Sequence, residues 1–245
     1  MLRKYYNFIT RVFLRNKLEK FPKIYIFIQS LRLRNKKNKE FKLFSKKTDL
    51  ILEGYPRSAN SFAIRAFKFP KKNIDLNISN HLHSIAHIRL GIFNKLPVIM
   101  LIRNPIDAVV SLNSFRTQVL IHRKQDPKTF FNSWDIKWDF INYINFYKSS
   151  LGLTDKMVIA NFDDVTKDFG KIIIQVNKKF NKSYGIFEHK KINEKQIFKN
   201  SWFHLSPNND RNKYKNQIKK IIKQKRMAKI IKESLDLYNL ILEKR

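Results

Sequence analysis

The 245-residue chain contains no cysteine. That removes disulfides and thiolate metal ligands, and because folding then needs no oxidising compartment, a reducing cytoplasm fits. Acidic residues are scarce, with 19 Asp and Glu against 51 Lys and Arg, which leaves a formal charge of +32 and a pI near 10.3. Such an excess attracts nucleotides, nucleic acid, acidic glycans or anionic lipid surfaces, and charge alone does not choose among them. Lys, Ile and Asn are heavily used throughout, so part of the basicity can be a composition bias of the source. No uncharged run approaches the roughly 20 residues needed to cross a bilayer, and the basic N-terminus lacks the apolar core and small-residue cleavage site of a secretory leader. A soluble protein is expected, at most peripheral at the inner face of a membrane.

The most informative stretch is Leu50 to Phe69, LILEGYPRSANSFAIRAFKF. The apolar run Leu50, Ile51, Leu52 ends at Gly54, Tyr55-Pro56 breaks it, and Ser58-Ala59-Asn60-Ser61 opens a segment with Phe62, Ala63, Ala66 and Phe67 at helical spacing. Strand, tight turn and helix are predicted. Backbone N–H groups at such a helix start have no partner within the helix and lie at the positive end of its dipole, so they hold anions, and Arg57 adds a fixed charge. The stretch lacks the Gly-Lys-Ser/Thr ending through which a nucleotidase loop grips triphosphate and magnesium, so another anion is indicated. The plain alternative is an ordinary strand-to-helix turn.

Elsewhere the pattern predicts an α/β chain with a mostly parallel sheet. Residues 1–47 carry 15 Lys or Arg against Glu19 and Glu40 and read as a basic helical extension, either packed on the domain edge or lying on an anionic membrane surface; residues 48–245 read as the α/β domain. Ile74, Leu76 and Ile78 alternate with polar residues and predict a second strand over 73–79, and Ser84 is placed to cap a helix from Ile85 to Asn94. Pro97 to Ile102 is a buried parallel strand by its continuous apolar run, and Pro105 opens the helix Ile106 to Val119. Phe130, Phe131, Trp134, Trp138, Phe140, Tyr143, Phe146 and Tyr147 recur at helical spacing and read as packing residues. A short strand over 157–160 precedes Asp163-Asp164, expected to cap one helix running to about Phe180. Residues 181–209 are expected to loop over the site, and a basic tail from Arg211 precedes a final amphipathic helix.

A second constellation, Arg103-Asn104-Pro105-Ile106-Asp107-Ala108-Val109-Val110-Ser111, puts an arginine at a strand end and a serine about two turns into the next helix. Both can approach one phosphate, the arginine through a forked charged contact and the serine through its hydroxyl. Asp107, in the first turn, favours the dipole or orients Arg103. Two phosphate sites on successive strand ends imply a ligand phosphorylated at both ends.

In order and spacing these segments resemble the sulfotransferase family. Gly54 to Phe62 is similar to its 5'-phosphosulfate loop, with a Pro-Lys/Arg-Ser-Gly-Thr/Asn-Ser/Thr core, and Arg103 to Ser111 to its 3'-phosphate motif, Arg-Asn/Asp-Pro-x-Asp-x-x-x-Ser. The resemblance covers about residues 49–182 and implies a three-layer, P-loop-like α/β fold. It also implies 3'-phosphoadenosine 5'-phosphosulfate as donor, its sulfate end on Arg57, Ser58, Ala59, Asn60 and Ser61 and its 3'-phosphate on Arg103 and Ser111, with Phe62 near adenine and no metal. The family commonly takes its base from a Lys-x-His-x-Pro element between the two motifs. His81-Leu82-His83-Ser84-Ile85 occupies that place, so His83 is the implied base and His81 stands for the lysine.

The chain departs from the family pattern at several points. Ile85 replaces the proline, and Ala59 stands where glycine is common, which is permitted only if its backbone angle is negative. Phe162 in Asn161-Phe162-Asp163-Asp164-Val165 replaces a tyrosine and loses a hydroxyl contact. No Arg-Lys-Gly completes the 3' pocket, and Arg211, at the end of Ser206 to Arg211, is the substitute candidate. The implied activity is transfer of a sulfuryl group to an acceptor hydroxyl, with a carbohydrate or glycan one acceptor class. The alternative is a non-catalytic basic nucleotide-fold protein on an anionic membrane surface or, less favoured, on nucleic acid. A nucleotide kinase is a weaker third option, and a histidine metal site finds no close carboxylate partner in the sequence.

Overall fold

A computed structural model describes residues 14–33, 41–125, 133–199 and 210–245. Phe130, Phe131, the Trp134 side chain, His204 and residues 206–209 therefore lie outside the described residues, as do residues 1–13 and 34–40 of the basic N-terminal segment. The elements, in chain order, are α1 (Arg15–Leu18), α2 (Pro22–Leu33), β1 (Leu50–Gly54), α3 (Asn60–Lys68), β2 (Ile78–Asn80), α4 (Ile85–Phe93), β3 (Val98–Ile102) and α5 (Pro105–His122). There follow α6 (Ser133–Lys148), β4 (Val158–Asn161), α7 (Phe162–Lys167), α8 (Phe169–Phe180), α9 (Lys191–Lys199), α10 (Asp210–Ile222) and α11 (Ala228–Leu242).

The four strands form one all-parallel sheet in the order β2-β1-β3-β4. Side chains alternate across each strand, and both faces are buried, which is why the strands read as unbroken apolar runs. Ile51, Val98, Met100, Ile102 and Ile159 point into a core with α4, α5, α6, α10 and α11. Leu50, Leu52, Ile99, Leu101 and Ala160 point into a second core with α3, α8, Phe187 and Ile197. The chain leaves β1 for β2 on one side and later returns for β3 on the other, so the sheet reverses direction between β1 and β3. Parallel sheets bind ligands in the crevice beyond the strand C-termini at such a reversal.

Several local expectations hold for stated physical reasons. Ser84 caps α4 by accepting from the Ala86 amide, and Asn104 caps α5 by accepting from Ile106 and Asp107, with Pro105 in the first turn where its missing N–H costs nothing. Phe140, Tyr143, Phe146 and Tyr147 are buried on α6, as packing residues should be, whereas Trp138 is only partly covered.

Others are corrected. The second strand is confined to Ile78–Asn80: residues Lys71–Asn73 form a 3-10 turn because the buried Asn73 amide bonds Phe67 and Gly185, and Ile74 is left 59% exposed. Asp163 and Asp164 lie in the first turn of the short α7 rather than capping a single helix, and Asp168 starts α8 by accepting from the Lys171 amide. Within 181–199 the chain does not loop over the site; Phe187, Ile197 and α9 cover the second core. The N-terminal segment is helical in α1 and α2, with Lys42 bridging Asn80 at the sheet edge and Tyr25 and Ile26 packing on Leu82, Ala86 and Leu90.

Candidate active site

The turn after β1 is built by close approach. A Cβ at Gly54 would stand 2.6 Å from the Leu101 carbonyl oxygen, so only glycine lets β1 run so tightly beside β3 before the chain turns. Arg57 and Ala59 then both adopt left-handed backbone angles, with φ of 70° and 67°. Ala59 thus corrects the expectation of a negative angle: the geometry that glycine would take freely is kept at a cost of about 1 kcal/mol. Ala59 is the N-cap of α3 and supplies no side-chain acceptor, so the first amides of that helix keep the anion-facing arrangement that a Ser or Asp cap would fill. The Ser58 hydroxyl is buried in the same turn, beside the Tyr147 phenol.

The turn after β3 is bound directly to the first. The Arg103 guanidinium donates to the Arg57 carbonyl at 2.9 Å, and Arg57 Nε donates to the Ser111 hydroxyl at 3.1 Å. Arg103 lies 3.8 Å over the Phe162 ring, which serves as an aromatic platform for the arginine. Arg57 and Arg211 both stack on Phe115, at 5.0 and 5.6 Å, and Arg211 reaches it from α10 while held by Gln118. Burial, then the charges of Arg211 and Arg103, push the Arg57 pKa down to about 10, and Lys215 is lowered by its own burial and by Arg211, Arg103, Lys219 and Arg57. Asp107 and Asp163 offset the burial of Arg103. Four cations thus crowd together beyond the ends of β1 and β3, an arrangement that a polyvalent anion would relieve.

The histidine turn follows β2. His81 and His83 also have positive φ, 59° and 53°. His83 Nδ1 donates to the Gly54 carbonyl at 2.7 Å, which leaves the proton-accepting lone pair on Nε2. Burial pushes the His83 pKa from 6.5 down to about 4, with His81 and Arg15 adding to the fall and Glu53 and the Gly54 carbonyl opposing it. The ring is therefore neutral at pH 7. His81 contacts the Ser61 hydroxyl at 2.9 Å and Asn80 Oδ1 at 2.6 Å, so it joins the histidine turn to the start of α3.

No family model, no curated protein and no solved structure matches this chain. The site therefore rests on its own geometry. Arg57, Ser58, Ala59, Asn60, Ser61, Arg103 and Ser111 belong to the turns and helix starts after β1 and β3, His81 and His83 join them from the turn after β2, and Arg211 from α10. Phe62 does not: it is 6% exposed and packs in the second core against Phe187, His189 and Phe198, so the expectation that it contacts adenine is corrected. Among the described residues no three His, Asp or Glu side chains gather as metal ligands.

Four contributors escaped the sequence reading. Glu53 is fully buried and accepts from the Leu82 and His83 amides, each at 2.9 Å, and from His87 Nδ1 at 2.6 Å. Burial works against its charge, yet the hydrogen bond from His87 and the Leu82 amide hold its carboxyl below the usual carboxylate value. Its signal was a lone acid in the apolar strand LILEG. The Tyr147 hydroxyl donates to the Leu101 carbonyl and accepts from the Tyr55 amide, while Tyr143 donates to the Arg103 carbonyl, so α6 pegs the turns after both β1 and β3. Arg15, paired with Glu19, donates to the His83 carbonyl and ties α1 to the same turn.

Proposed function

We propose that the chain is a sulfotransferase that moves the sulfuryl group of 3'-phosphoadenosine 5'-phosphosulfate to an acceptor hydroxyl, with carbohydrate hydroxyls the first class to test. One observation carries the reading: Arg57, Arg103, Arg211 and Lys215 crowd the crevice between the β1 and β3 ends, beside a helix start with no side-chain cap. Two guanidiniums on two turns suit a ligand with phosphates at both ends better than one with a single phosphate. A P-loop-like nucleotide fold is the finer architecture this entails, and the cysteine-free chain suits the cytoplasm.

In the proposed reaction the 5' phosphosulfate lies at the start of α3, near Arg57 and the Ser58 hydroxyl, and the 3'-phosphate lies toward Arg103, Ser111 and Arg211. The acceptor hydroxyl gives its proton to His83 Nε2 as its oxygen bonds to sulfur. The sulfur–oxygen bond to the 5'-phosphate breaks, and its electron pair leaves with 3'-phosphoadenosine 5'-phosphate, whose added charge the arginines stabilise. The polyanion also favours the imidazolium form, which raises the basicity of a ring that is a weak base in the free protein. His81, bonded to Ser61, positions the helix start.

The test separates binding from transfer. Arg57→Ala and Arg103→Ala should each weaken donor binding by about tenfold to a hundredfold, the usual worth of one charged hydrogen bond. His83→Ala should keep donor affinity and lose acceptor-dependent release of 3'-phosphoadenosine 5'-phosphate. Wild-type donor affinity in both arginine variants would defeat the assignment.

A further inference from the structure

Helix α2 presents two apolar faces. One is satisfied, since Tyr25 and Ile26 are buried against α4. The other is not: Phe21 is 62% exposed, Ile24 54%, Phe27 62% and Leu31 57%, and Phe93 at the end of α4 continues the patch at 71%. Positions 24, 27, 28 and 31 follow the i, i+3, i+4, i+7 spacing of a single helical stripe. Beside it a groove of about 570 Å³ is lined by Lys20, Phe21, Lys23, Ile24, Arg89 and Phe93. Isolated exposed apolar side chains are ordinary, but five large ones on one contiguous surface mark a place of contact.

The charge around the stripe selects the occupant. Lys17, Lys20, Lys23 and Arg32 lie on α1, α2 and the turn between them, and Arg89 of α4 lines the groove with Lys20 and Lys23. The one acid in residues 14–33, Glu19, is buried and engaged by Arg15 through its carboxylate and by Arg89 through its carbonyl. A second copy of the chain would set these cations against themselves. Nucleic acid would meet the positive rim but find no use for an isoleucine and leucine stripe. An apolar face inside a cationic rim matches the boundary layer of an anionic bilayer, in which the stripe enters the acyl edge and the lysines meet the headgroups.

We propose that the exposed face of α2, continued by Phe93, docks the protein on anionic lipid bilayers. The surface lies apart from the arginine crevice, so it is testable whatever the reaction proves to be. The full chain is mixed with vesicles of phosphatidylcholine alone or with about 30% phosphatidylserine, and bound protein is measured by cosedimentation. Binding is expected to the anionic vesicles only, and to weaken as salt is raised. Phe27→Ser should lower affinity about tenfold through the apolar contact, and Lys20→Gln with Lys23→Gln about fivefold per charge. All three side chains are exposed, so thermal stability should be unchanged, and this is checked alongside.

Equal binding to neutral and anionic vesicles, no binding to either, or wild-type affinity in both sets of variants would each overturn the proposal. So would a concentration-dependent dimer, seen by sedimentation velocity, that Phe27→Ser abolishes.

Discussion

Replacing Glu53 with glutamine tests how the histidine turn is held. The carboxylate is fully buried and meets three donors, the Leu82 amide, the His83 amide and His87 Nδ1, within 2.6 to 2.9 Å. Glutamine has nearly the same shape but one acceptor oxygen, so its NH2 must face either the His83 amide or the pair formed by Leu82 and His87. Each hydrogen bond to a charged acceptor is worth about 1.5–3 kcal/mol, and breaking up a buried charged cluster costs about 3–5 kcal/mol. A loss of about 3 kcal/mol is therefore expected. Native domains hold about 5–15 kcal/mol in total, so the variant should still fold. With a urea dependence near 3 kcal/mol per M, the unfolding midpoint should drop by about 1 M. A midpoint within about 0.2 M of wild type would refute the view that this carboxylate anchors the turn.

Three further perturbations have expected outcomes. Folded His83 takes its proton near pH 4 rather than 6.5, so the unfolded chain is protonated first and stability should fall as pH is lowered from about 6.5 toward 4. Glu53, depressed from 4.5, contributes stability above that value and loses it as pH drops through its folded pKa. Urea midpoints followed from about pH 6.5 to well below 4.5 should show both losses in wild type and only the second in His83→Gln; a flat wild-type profile between about pH 6.5 and 4 would contradict the first. Ala59→Gly should relieve left-handed strain and stabilise by about 0.5–1 kcal/mol, a rise in Tm of about 2 °C by calorimetry, and a fall would mean the turn needs the methyl group. Tyr147→Phe removes the hydroxyl shared by the Leu101 carbonyl and the Tyr55 amide and should cost about 1–3 kcal/mol in the same urea assay.

What the sequence made legible was local. Unbroken apolar runs marked β1 and β3, because a parallel strand covered on both faces has no polar side to show. Ser84 and Pro105 marked helix starts because their effect is confined to one turn. Where a tertiary partner decided the outcome, the pattern misled: Asn73 traded a strand for a turn through its bonds to Phe67 and Gly185, more than a hundred residues away in the latter case. Phe62 lies within the loop motif, but its place on the core side of α3 was visible only once Phe187 and Phe198 packed on it. The arginines were legible as candidates from their positions at strand ends. The meeting of Arg57 and Arg211 on Phe115, and the tyrosine pegs from α6, depend on how α5, α6 and α10 pack and leave no signature in any short segment.

The central claim, a crevice for a nucleotide phosphorylated at both ends, is tested most directly by titration calorimetry of the full chain with 3'-phosphoadenosine 5'-phosphate and with adenosine 5'-phosphate. A preference of at least tenfold, about 1.4 kcal/mol, is expected for the bisphosphate, and Arg103→Ala should erase it. Equal affinity for the two nucleotides, or a preference that survives Arg103→Ala, would contradict the claim.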